Sequence, residues 1–292
     1  MSNLYIATKE QPKILTGGFS GDILMRLPPS VLRLYKGGQN IRNIALLKIL
    51  GTIGVSPQIY HDFGTGHIEE YIDGVPLSVV DTEEMFFPVA RALAQLHAIP
   101  LTLVPIANVW DPWTEVAECI DDFRNVTASK KDNKDICTDK GFSLDEVSVE
   151  IEGLHNLLRP FLEADSAQWC LSHNDLFGGN IMRCRDGVRL IDWEMTALFH
   201  PLYDVANFFC ECCMDMSLNY DANRFPSSDR QVDFIRICLG RDPNERDMYI
   251  LRLFILLSHL YWAASGTDGV PEYALMRFTQ YRKSKANLVR FI

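Results

Sequence analysis

The chain has 292 residues, enough for one large domain or for two lobes around a shared cleft. Apolar residues make up 47% and charged residues 23%, values of a globular protein that can bury a core, not of a disordered or fibrous chain. The net charge of −10 argues against nucleic acid as the main partner, because phosphate binding needs a basic face, and it suits a cationic small molecule.

The opening residues show no basic segment followed by an apolar run, and the eight cysteines read as free thiols, so the expected compartment is the cytoplasm. Strands are expected at 14–18, 23–26 and 31–35, separated by a glycine-bearing turn and by Pro28-Pro29. The last run alternates Val31, Arg33 and Tyr35 against Leu32 and Leu34, the period of a sheet strand. Helical spacing over 42–50 stops at Gly51 and Gly54. Two more strands, 57–63 and 67–72, flank Gly64-Thr65-Gly66. After Asp73-Gly74 the pattern turns helical. Residues 85–98 place Phe86, Val89, Leu93 and Leu96 along one side, and Asp111-Pro112-Trp113 starts a second helix. The Lys- and Asp-rich stretch 127–140 reads as a solvated loop, and 147–162 as a helix. Short strands return at 169–172, 181–183 and 188–191, with a turn at Asp186-Gly187, and the remainder is mostly helical. The apolar run 249–264 is interrupted by Arg252 and His259 and is short for a bilayer, so no membrane span is read.

The chemistry concentrates in His173-Asn174-Asp175-Leu176-Phe177-Gly178-Gly179-Asn180 and then Leu190-Ile191-Asp192-Trp193-Glu194. Asp175 and Asn180 share a glycine-bearing loop, and Asp192 ends an apolar strand. Three oxygen donors can converge there. Mg²⁺ takes oxygen ligands, commonly one or two carboxylates plus substrate phosphates, and a second carboxylate kept off the metal can accept a hydroxyl proton. Phosphoryl transfer needs that division of labour.

These motifs resemble the choline and ethanolamine kinases and, more distantly, the aminoglycoside phosphotransferases. The resemblance also covers residues 31–35, the hinge-like His67-Ile68-Glu69-Glu70-Tyr71-Ile72-Asp73, the segment 201–211, and the helical segments 258–262 and 273–278. It implies an α+β, bilobal, protein-kinase-like fold with a small β-rich N-lobe (1–72) and a larger, mainly helical C-lobe (73–292). It implies ATP and Mg²⁺ as cofactors and a small cationic amino alcohol, choline or ethanolamine, as acceptor, yielding phosphocholine or phosphoethanolamine for phospholipid synthesis. A homodimer is also implied. By the resemblance Asp175 is the catalytic base and touches the acceptor, and Asn180 and Asp192 hold Mg²⁺. Ser20 and Gly21 lie over the nucleotide, Arg33 pairs with its phosphates, and Glu70, Tyr71 and Ile72 form the adenine hinge. Glu211, Trp262 and Tyr273 line the amine pocket, where aromatic faces and a carboxylate can hold a quaternary ammonium that has no N–H donors.

Each assignment has a plainer rival. Arg33 could be a surface charge, the glycines at 17, 18 and 21 a hairpin turn, and Trp262 and Tyr273 core aromatics. Glu211 sits in an apolar run, where it needs either a ligand or a salt bridge. Asp204 reads as a brace for the loop, His173 as a hydrogen-bonding support, Cys210, Cys212 and Cys213 as packed thiols, and His97 and His259 as half-buried helix residues.

Three departures stand out. Asn43 occupies the place where the family carries a glutamate that pairs with the strand's basic residue. Asp22 follows the Ser20-Gly21 turn, and Met216 and Ser265 stand where choline kinases carry aromatics. The reading is a choline kinase. The alternatives are an ethanolamine kinase, an aminoglycoside-type hydroxyl kinase, and a nucleotide-sensing module without turnover.

Overall fold

The computed structural model describes residues 13–15, 22–27, 29–36, 44–105, 108–129, 143–215, 217–266 and 271–288. The N-terminal part is a five-stranded antiparallel sheet. β1 (Lys13–Leu15), β2 (Ile23–Leu27), β3 (Ser30–Leu34), β4 (Ile59–Asp62) and β5 (Gly66–Glu70) lie in the order β1-β2-β3-β5-β4. The alternation read over 31–35 is the β3 register: Arg33 faces His67 and Leu32 faces Ile68 on β5. α1 (Ile44–Thr52) buries Ile44, Leu46, Leu47 and Leu50.

The chain then leaves this sheet. β6 (Gly74–Pro76) directly follows the hinge-like segment and pairs with β8 (Ile181–Cys184), which pairs with β9 (Gly187–Leu190). A further pair, β7 (Cys170–Ser172) with β10 (Ala197–Phe199), brackets that hairpin in sequence. The sequence pattern gave no sign of β10, which has three residues. The loop expected from 127 starts later, because α3 (Pro112–Ser129) runs through 129; 130–142 lie outside the described residues.

Helices fill the rest: α2 (Thr82–His97), α4 (Leu144–Ala164), α5 (Pro201–Glu211), α6 (Ser228–Leu239), α7 (Glu245–Ser265) and α8 (Pro271–Leu288). α7 is apolar on all faces because it is the central helix, packed by α5, α8, α4 and α3. By length and composition alone it could cross a membrane, but 72% of its apolar window is buried inside the protein. Its Phe254 joins Trp110, Phe199 and Tyr203 in an aromatic cluster, with Trp110 4.5 Å from Tyr203 and 5.0 Å from Phe199.

One buried carboxylate locks this core to the loop after β7. Asp204, fully buried on α5, accepts the backbone N–H groups of His173 at 3.0 Å and Asn174 at 2.8 Å. Its Oδ2 also meets His97 Nε2 at 2.9 Å, so the brace reaches α2 as well. His97 is therefore an ion-pair partner and not an idle helix residue, while His259 is buried where half-burial was expected. Replacing Asp204 by Ala orphans two buried N–H groups and a buried imidazole, and should cost about 3–5 kcal/mol in denaturant unfolding. A loss under about 1 kcal/mol would show that the loop is held by something else.

Candidate active site

The loop between β7 and β8 is held in a conformation that ordinary residues avoid. Asn174 has φ +65°, and so does Asp192 after β9. Asn174 compensates by donating from Nδ2 to Met195 O at 2.9 Å. His173 is buried, and burial pushes its pKa down, so the ring is neutral. Its Nε2 donates to Ile191 O at 3.0 Å, which leaves Nδ1 to accept the Asp175 N–H at 3.4 Å. Through this one imidazole the Asp175 loop and the strand end before Asp192 are fixed to each other.

Asn180 completes the arrangement. Its Nδ2 donates both to Asp175 O at 3.0 Å and to Asp175 Oδ2 at 2.9 Å, while its own carbonyl accepts the Ile191 N–H at 3.0 Å. Gly178 is required in between: a Cβ there would stand 2.4 Å from Leu77 O, where the end of β6 crosses the loop.

Electrostatics at this point are unusual. Burial, and then the nearby Glu211 and Asp192 carboxylates, push the Asp175 carboxyl from 3.8 up to about 7. Asn180 and Arg277 oppose the rise. A group poised near neutrality can both take and release a proton at working pH.

Asp192 closes one end of a cleft of about 140 Å³ between the five-stranded sheet and the β8–β9 hairpin. Leu24 and Val31 line it from the sheet, Met182 and Ile191 from the other side, and Glu70, Tyr71 and Ile72 along its edge. Tyr71 N–H is taken by Pro29 O and the Glu70 carboxylate by Arg189, at 3.2 Å to each oxygen. Glu70 is thus tied down both by its side chain and by its backbone N–H, which donates to Gln58 O at 2.8 Å. Arg33 also lines the cleft. It lies 3.4 Å from Glu69 and 3.6 Å from Asp22, and Glu69 is held in turn by His67 at 3.1 Å. The acids that serve Arg33 therefore come from β5 and from the residue before β2. Ser20, Gly21 and Asn43 lie outside the described residues.

Glu211 ends α5 and lines a second cavity of about 120 Å³ with Phe177, Gly178 and Met214; Asp175, Trp262 and Tyr273 are not among its lining residues. The structure pairs it with Arg277, whose Nη1 donates to Oε1 at 2.6 Å. Burial raises the Glu211 carboxyl, and the guanidinium opposes that rise. The salt bridge weighed for Glu211 is present, and Arg277 carried no role in the sequence reading. A signal was available: Arg277 falls on the buried stripe of α8 with Ala274, Phe278 and Tyr281. Tyr273 sits 5.8 Å from the Arg277 guanidinium and within the field of both Asp175 and Glu211. Trp262 is half-buried against Tyr261, its indole N–H without a partner among the described residues. Cys210, Cys212 and Cys213 are buried free thiols, as expected.

A divalent ion fits the residues at the cleft's end. Asp192 Oδ1 is buried with no hydrogen-bond partner, and the donors nearby are oxygens. Among the described residues no group of three His, Cys, Asp or Glu side chains could form a closed metal cage. The set suits a hard ion that completes its shell with phosphate and water.

Against known families, the sequence model for choline/ethanolamine kinase matches residues 24–289. The chain belongs to the choline/ethanolamine kinase family. A probable choline kinase of Arabidopsis thaliana is 26% identical over 288 residues, covering 89% of this chain and 78% of the relative. A choline/ethanolamine kinase of Rattus norvegicus is 26% identical over 322 residues, covering 94% and 76%. Among solved structures, a choline kinase from Cryptosporidium parvum aligns with TM-score 0.78 at 21% identity, over 96% of this chain and 90% of that one. An ethanolamine kinase from Plasmodium vivax aligns with TM-score 0.72 at 23% identity, over 94% and 83%.

The kinase is thus an ATP-dependent phosphotransferase with an alcohol acceptor, on a protein-kinase-like fold with a small sheet region and a mostly helical remainder. The raised Asp175 carboxyl has a thermodynamic consequence. A folded-state pKa of about 7 against 3.8 unfolded means that the folded kinase binds the extra proton between those values, so Asp175 destabilises it increasingly as pH rises through that window. Asp175→Asn should therefore stabilise the ligand-free, metal-free protein at pH 8 by up to about 4 kcal/mol and do little at pH 4. Equal effects at both pH values in urea unfolding would refute the burial argument.

Proposed function

We propose that this kinase moves the γ-phosphate of ATP to the hydroxyl of choline, with ethanolamine as a second acceptor. The observation that carries the reading is Asp175: a carboxyl poised near pH 7, oriented by Asn180, and within the field of both Asp192, which lines the cleft, and Glu211, which lines the second cavity. In this reading 1–72 form the nucleotide lobe and 73–292 the catalytic lobe. The Glu70–Ile72 backbone receives the adenine, Arg33 the phosphates, and the turn at Ser20 and Gly21 covers them. Asn180 and Asp192 hold Mg²⁺, which when bound offsets the negative charge of the phosphates.

The chain's own residues do the rest. Asp175 accepts a hydrogen bond from the acceptor hydroxyl and takes its proton as the oxygen closes on the γ-phosphorus in line. Asn180, by holding Oδ2, leaves Oδ1 to face the acceptor. Glu211, Trp262 and Tyr273 receive the cationic head. His173 keeps the base and the metal-holding strand end in fixed relation. We infer a soluble cytoplasmic enzyme and a homodimer from the family likeness.

Ethanolamine as the main acceptor is favoured by one feature. Ser265, where choline kinases carry an aromatic, turns its hydroxyl to Tyr261 O at 3.0 Å and adds no ring to the pocket. A module without turnover is disfavoured because Arg33 retains acidic partners despite Asn43.

Comparing kcat/KM for choline, ethanolamine and kanamycin at saturating Mg-ATP separates the readings; we expect choline first and ethanolamine second. Kanamycin as the best acceptor would overturn the proposal. Asp175→Ala should lower kcat by at least about 10³-fold while nucleotide Kd changes little. Asp192→Ala should also weaken Mg-ATP binding, and an unaltered nucleotide Kd would remove it from the metal site.

A further inference from the structure

Arg277 has 0% of its surface exposed, and a cation so buried is costly unless every neighbour answers it. Three oxygens do. Nη1 donates to Glu211 Oε1 at 2.6 Å, and Nη2 donates to Ser258 O at 3.0 Å and to Ser258 Oγ at 2.9 Å. The three residues come from α8, α5 and α7, so the guanidinium is where these helices are pinned together.

The bonding continues past that point. Ser258 Oγ also accepts from Asn207 Nδ2 at 3.3 Å, and Asn207 Oδ1 accepts the Leu176 N–H at 2.6 Å. Leu176 is the neighbour of Asp175. A continuous hydrogen-bonded path therefore joins Arg277 to the loop that carries the base. At its other end, Glu211 gives Oε1 to the arginine, while Oε2 accepts no hydrogen bond among the described residues and Glu211 borders the second cavity. Simple neutralisation of a buried acid would not require a fork that is also bonded twice to α7. The planar guanidinium sets which carboxylate oxygen is presented, and a flexible ammonium cannot do that.

We propose that Arg277 is a positioning residue for the acceptor: it turns the free oxygen of Glu211 toward the cavity and ties that carboxylate to the Asp175 loop. The proposal rests on the amino alcohol reading given above.

Arg277→Lys tests it, because the charge stays and the fork is lost. The expected result is a choline KM raised about tenfold, the loss of one charge-assisted bond, with ATP KM within about twofold of the unmutated enzyme. Ser258→Ala keeps the Arg277–Glu211 pair and cuts the path to Asn207. It should lower kcat severalfold and leave choline KM nearly unchanged. If Arg277→Lys has normal choline KM, or raises choline and ATP KM alike, the residue is merely structural and the proposal falls. It also falls if Arg277→Lys only reduces folded protein and Ser258→Ala leaves kcat unchanged. Failure of the unmutated enzyme to phosphorylate either amino alcohol is a distinct result: it overturns the underlying reading, and this proposal with it.

Discussion

Asp175 is buried in the field of two further carboxylates, Asp192 and Glu211, and the repulsion it feels from both is the constraint that the surrounding structure answers. Each is answered differently. Glu211 has a buried guanidinium at 2.6 Å. Asp175 is pushed toward its protonated form and is held by an amide rather than a cation. Asp192 keeps a buried oxygen without any donor. Unanswered negative charge in such a place destabilises the empty protein. The same charge makes the place receptive to cations, so ligands that bring positive charge bind and stabilise together. A divalent ion at Asp192 and an ammonium near Glu211 would supply it at the two ends, with the base left between them.

That arrangement survives only if the carboxylates cannot drift apart, which is the task of the α5 side chains. Asp204 grips the loop at His173 and Asn174, and Asn207 grips it again at Leu176. Both residues are fully buried on one short helix, and Glu211 ends it. The helix thus carries the two clamps and one of the three charges on a single rigid body. The left-handed backbone at Asn174 is sustained by this over-determination.

Much of this was legible in residue types. The alternation at 31–35 places Arg33 on the cleft face, and Asn180 and Asp192 flank one hairpin while Asp175 lies in the loop before it, bonded to Asn180. What escaped were the partners. Arg33 is served by Glu69, two residues beyond its register partner His67, and such diagonal neighbours depend on strand pairing, which sequence does not show. His97 reaches Asp204 across 107 positions, a distance over which no local pattern operates. β10 escaped because Ala197-Leu198-Phe199 is too short to alternate and no glycine or proline turn precedes it. Arg277 could have been found: a charge on the apolar stripe of a helix must be paired, and Glu211, the other charge in an apolar run, was its natural partner.

The pairing also bears on which amine suits the pocket. A primary ammonium carries three N–H donors and is strongly hydrated, so it must exchange its water for three acceptors. With Glu211 Oε1 given to Arg277, the carboxylate offers one free oxygen there. Two donors of ethanolamine would then rely on water or on other oxygens. A trimethylammonium has no donors to satisfy. It needs a negative field and polarisable surface, which in the proposed pocket one carboxylate oxygen and the rings of Tyr273 and Trp262 would provide. A half-neutralised acid therefore penalises the smaller amine more than the larger one, and this is the physical ground for placing choline ahead of ethanolamine even with Ser265 in place of a further ring.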